Sequence, residues 1–123
     1  MSGRTVRVAL LCALMGGVTV AQPSAKVTLV TKNGVLLLSG LVSAGKLTTL
    51  RGVWGPAGQA RLMQCLPRCK VVQSIPVQRQ LSLNELSGYR VVLGGSYTKG
   101  QKVALVMRFG DGQVLNVMTP VVR

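Results

Sequence analysis

Three sulfur side chains, Met63, Cys65 and Cys69, fall within the seven residues MQCLPRC of a 123-residue chain. That chain has no histidine and two acidic residues, Glu85 and Asp111. Without imidazole there is no Ser–His or Cys–His pair and no histidine metal site. A carboxylate pair for hydrolysis would need both acids in one place. Asp111 stands between Gly110 and Gly112, where it suffices as a turn former, and Glu85 lies in LNEL among a large excess of bases. Neither is placed as a general acid, so the chain is expected not to be an enzyme. What remains is sulfur chemistry or binding.

Cu(I) prefers thiolate and thioether donors. Met63, Cys65 and Cys69 supply three of them, enough for a trigonal site if residues 66–68 fold back. Arg68 and Lys70 sit beside the cysteines, and positive charge there favours thiolates. Three states of the pair are open: a disulfide closing a short loop around Pro67, a copper-binding or thiol-exchange pair, and two unrelated thiols. The first two are compatible, because an oxidised pair can be the resting form of an exchange site. Strand parity puts Met63 and Cys65 on one face, so a core position is the alternative for Met63. Met107 and Met118 read as core filler.

The amino terminus bears on the redox compartment. Arg4 and Arg7 precede an apolar stretch from Val8 to Val20, which ends in Ala21 before Gln22-Pro23. A basic start, a short apolar run and a small-residue exit make a secretory signal peptide. The run is short of the roughly 20 apolar residues of a membrane span. The expected organisation is a signal peptide over 1–21, cleaved after Ala21, and one domain over 22–123. Retention of the segment as an anchor is the alternative. The mature chain would carry no transmembrane segment and would be periplasmic or secreted. It would retain two cysteines in an oxidising compartment, where a disulfide is the commoner outcome.

The elements that must position these residues are read from the hydrophobic periods. Short runs rich in Val, Leu and Thr cover 26–31, 35–42, 46–54, 59–65, 70–78, 89–93, 102–109 and 113–122. Lys32-Asn33-Gly34 and Gly110-Asp111-Gly112 are hairpin signals. Ser43-Ala44-Gly45 and Gly55-Pro56-Ala57-Gly58 punctuate the chain elsewhere. No segment keeps a helical period, so the fold class is all-β, a sandwich or barrel. In 102–109, Val103, Leu105 and Met107 fall on one face. Leu115, Val117 and Thr119 do so in the last run. Trp54 is expected as a core or corner plug.

Charge is the second clue. The formal net charge is +13, and loss of Arg4 and Arg7 with the signal segment would leave +11. Such a surface concentrates anionic partners in a salt-dependent way. The bases are dispersed, aromatics for stacking are scarce, and export removes most nucleic acid, so nucleic acid is disfavoured as a partner. An anionic envelope component or an acidic protein suits the surface better. Arg90 and Arg108 are the candidate anion-binding residues, with an ordinary salt bridge to Glu85 or a solvated face as the plain alternative.

The runs GVWGPAGQARLM, VVQSIPVQRQLSLNELSGYRVVLGG and YTKGQKVALVMRFGDGQVLNVMTPVV follow in an order that resembles the periplasmic copper chaperones of the PCu(A)C type. Ser74-Ile75, Gly88-Tyr89, Lys99-Gly100 and Phe109-Gly110-Asp111-Gly112 fall at matching places. The likeness covers roughly 47–122 and lies mainly in turns and core. It implies a cupredoxin-like Greek-key β-sandwich, copper as cargo, and a copper-accepting envelope protein as partner. The family's metal-binding His and following Met fall at Met63 and Cys69, and its His-x-Met pair falls at Arg90 and Val92. Two of the four positions keep a sulfur and two have no copper donor, so the family's usual His/Met site does not carry over.

Overall fold

β1 (Ser24–Lys32) runs into β2 (Val35–Gly55) through the tight turn at Asn33-Gly34. In this computed structural model, which describes residues 22–84 and 86–122, both turn residues have positive φ, 53° and 81°. That geometry matches the twist of the paired strands, as the Asn-Gly dipeptide predicts. The expected signal peptide, 1–21, lies outside the described residues, as does Glu85.

β2 departs from expectation. Ser43-Ala44-Gly45 does not end a strand; β2 continues for 21 residues. Its register against β6 (Ile75–Leu83) slips between Ser43 and Leu47, so the extra residues are absorbed as a bulge that bends the strand. The bend gives β2 two sets of neighbours. β1 lies along its first part, and β8 (Lys102–Phe109) pairs with residues 50–54.

The expected run 70–78 is likewise divided. β5 (Cys69–Val72) pairs with β4 (Arg61–Cys65), whereas β6 begins at Ile75 and pairs with Leu50 of β2. The chain changes partner at Gln73-Ser74, because Ile75 and Val77 go to the core, each with no exposure. The remaining strands are β3 (Gly58–Gln59), β7 (Tyr89–Leu93) and β9 (Val114–Pro120). Among the described residues these strands form one antiparallel network along β5-β4-β7-β2-β8-β9, with β1, β3 and β6 also on β2. A parallel bridge from Leu29 to Val121, with the Val122 N–H donating to the Leu29 carbonyl at 2.9 Å, draws the end of the chain back to β1.

Strict alternation supplies the core. Val103, Leu105, Met107 and Phe109 of β8 are buried, and the residues between them are exposed. Leu115, Val117 and Thr119 of β9 turn the same way, with Thr119 fully buried. Met107 is core as expected, but Met118 is not: it is 60% exposed. In β9 the inward parity belongs to the odd-numbered residues, so Met118 faces out.

Candidate functional site

The sulfur residues occupy the β4–β5 hairpin. Leu62 of β4 and Val91 of β7 face one another across the ladder and are both buried, so the alternate residues Met63 and Arg90, also paired, face outward. Met63 is half-buried on this outer face rather than sealed in the core, and Val71 of β5 is its partner on the other side. Two residues on, Cys65 pairs directly with Cys69 and the two form a disulfide, S–S 2.04 Å. The loop between them contains a cis Leu66–Pro67 peptide. The Cys65 N–H donates to the Gly88 carbonyl at 2.7 Å, which ties the end of β4 to the start of β7.

All four positions implied by the copper-chaperone resemblance thus belong to one small region of the fold. Met63 and the Cys65–Cys69 bridge lie on β4 and β5. Arg90 stands opposite Met63, and Val92 opposite Arg61. Among the described residues no three His, Cys, Asp or Glu side chains gather as a metal cluster. A three-donor soft-metal site here must therefore use the Met63 thioether, and it must have the disulfide opened, since a bridged sulfur is no thiolate.

The two candidate anion-binding arginines are not brought together. Arg90 lines a cleft of about 470 Å³ with Val30, Leu37, Leu38, Leu86 and Tyr89. Its Nε is buried without a hydrogen-bond partner. A Glu85 partner for either arginine lies outside the described residues. Arg108 instead lines a second cleft, of about 670 Å³, with Arg51, Trp54, Gln59, Gln73 and Ser74. Sequence reasoning missed Arg51 as a companion of Arg108, because the bulge between Leu50 and Gly52 that places it is invisible in the alternation pattern. It also took Trp54 as a plug, whereas the indole is half-buried on the outer face.

Asp111 is the turn residue expected. The Lys46 ammonium donates to its carboxylate at 2.8 Å, and the Gln113 N–H donates at 3.1 Å. These contacts, the Lys46 hydrogen bond first, hold its pKa below the usual carboxylate value.

The architecture is a cupredoxin-like β-sandwich. Among solved structures, the copper-bound PCuAC domain from PmoF2 matches it with a TM-score of 0.66, covering 85% of this chain and 95% of that one at 14% sequence identity. No protein-family model and no curated protein matches the sequence. At that identity the likeness establishes a PCuAC-like fold, and the function is argued from the site.

Proposed function

We propose that this chain is an exported copper-chaperone-like protein that holds Cu(I) through Met63, Cys65 and Cys69 after its disulfide is reduced. The observation that carries the reading is the register of the hairpin: Cys65 and Cys69 are directly opposite, with Met63 two residues before Cys65 on the same strand. A dithiol reductant would pass two electrons and two protons to the Cys65–Cys69 bridge, giving two thiols and an oxidised reductant. Cu(I) would then displace the two thiol protons, with the Met63 thioether as third donor. Two thiolates and Cu(I) carry one net negative charge, which Arg90, across the ladder from Met63 and on the same face, offsets. Release to a copper-accepting envelope protein would proceed by ligand exchange, and reoxidation would return the bridge.

Competition for Cu(I) against a chromogenic chelator tests this on reduced protein, oxidised protein and the Cys65→Ser/Cys69→Ser variant. One-to-one binding by the reduced form alone, weakened but not lost in Met63→Leu, is expected. Equal behaviour of the reduced wild type and the double variant would sink the reading.

A second reading is favoured by one observation. Arg90 occupies a position where the resemblance places a metal-binding His, and its Nε is buried and unpaired beside an apolar cleft. On that reading the protein is a metal-free module that engages anionic envelope components or an acidic protein. Such binding would fall steeply with salt and survive the Cys→Ser changes.

A further inference from the structure

A cleft on the outer face of β2 and β8 combines two arginines with a tryptophan. Arg51 projects from the bulge after Leu50, and Gly52, the next residue, pairs with Arg108 of β8. Two guanidiniums from adjacent strands therefore border one concavity of about 670 Å³, within the range of small-molecule sites. Among the described residues no carboxylate side chain lines it, and Asp111, whose flanking glycines do, has its carboxylate held by Lys46. Positive charge concentrated in a concave site without an internal counter-ion attracts anions.

Trp54 lies in the same cleft, and its placement depends on Gly52. A Cβ at position 52 would collide with Cη2 and Cζ3 of the indole. The six-membered ring occupies the space a side chain at 52 would fill, lying across bare backbone beside Arg108. The result is an aromatic shelf on an outward sheet face, next to two guanidiniums. Gln59, Gln73 and Ser74 add polar side chains to the lining. Each of these three both donates and accepts hydrogen bonds, as do the hydroxyls of a sugar ring.

We propose that this cleft binds an acidic saccharide. A sugar ring packs its C–H face on Trp54, whose negative π-face attracts the positively polarised hydrogens. The acidic group pairs with Arg51 and Arg108 through charge-assisted hydrogen bonds. The ring hydroxyls are met by Gln59, Gln73 and Ser74. The site shares no residue with the sulfur hairpin, and its occupancy does not depend on copper.

Trp54 is the single tryptophan of the chain, so its emission reports the site directly. The full-length oxidised protein is titrated with trigalacturonate, maltotriose, inorganic phosphate and AMP at matched ionic strength. Trigalacturonate is expected to give a saturable change that weakens as salt is raised, with maltotriose bound about tenfold or more less tightly, the loss of one charge-assisted contact. Arg51→Gln and Arg108→Gln, at exposed positions that do not threaten folding, each weaken trigalacturonate by about tenfold. Lys99→Gln, in a distant turn, leaves it unchanged. Gly52→Ala displaces the indole and weakens binding by calorimetry while thermal unfolding stays cooperative. Maltotriose binding as well as trigalacturonate would overturn the proposal. So would phosphate or AMP saturating at lower concentration, which would make the cleft a phosphate or nucleotide site, or indifference to both arginine variants.

Discussion

The path of hydrogen-bonded strands ends in two ribbons, β4–β5 on one side and β8–β9 on the other, and they are held together differently. β8 and β9 pair without a slip from Lys102↔Pro120 to Arg108↔Val114, and one face of β8 buries four side chains. Alternation and burial suffice there. β4 and β5 share four residue pairs, Leu62 alone is sealed in the core, and Cys69, Lys70 and Val71 are exposed. The covalent bridge at the loop end supplies the constraint that packing does not. A ribbon held by a disulfide can change state with the redox potential around it, and a ribbon held by its core cannot.

The largest effect expected is in the core-held ribbon. Met107→Ala removes a side chain with no exposure, and should cost about 3 kcal/mol in urea unfolding. A loss well below that would mean that β8 is less committed to the core than its burial indicates. Opening the other ribbon with Cys65→Ser/Cys69→Ser should cost about 2 kcal/mol, since so short a loop constrains the unfolded chain little. If that variant loses more than Met107→Ala, the contrast between the ribbons is wrong.

A third change tests the inner face of β9. The Thr119 hydroxyl is fully buried without a hydrogen-bond partner, so Thr119→Val should raise stability by about 1 kcal/mol, read as a higher urea midpoint with unchanged slope. Met118→Ala, one residue away but facing out, should stay within about 0.5 kcal/mol of wild type. The smallest effect concerns Asp111 in the turn that joins β8 to β9. Its pKa is lowered in the folded state, so its contribution is present above the unfolded carboxylate value and is lost as pH falls through the folded one. The acid limb of a melting-temperature profile should be slightly shallower in Asp111→Asn than in wild type.

Much of the sandwich was legible because period-2 alternation leaves a one-residue shift no freedom once one face is buried. The inward face of β8 and the turn at Asn33-Gly34 followed from local sequence. The course of β2 did not. Ser43-Ala44-Gly45 has the composition of a break, and whether such a segment turns or bulges depends on whether a partner strand is present to pair on both sides of it. β6 is that partner, and it is remote in sequence. Met118 was misplaced because an apolar residue type does not by itself reveal its parity.

The residues able to do chemistry were determined by sequence alone. Absence of histidine, scarcity of acids, a Met-x-Cys-x-x-x-Cys cluster and a large positive charge are properties of composition and spacing. Tertiary structure decided which of them meet. It joined Cys65 to Cys69 and set Met63 opposite Arg90, because β4 packs between β5 and β7. It also separated Arg90 from Arg108, placing the latter with Arg51 and Trp54. Strand partners and bulges arise from pairing between distant segments, and no local pattern encodes them.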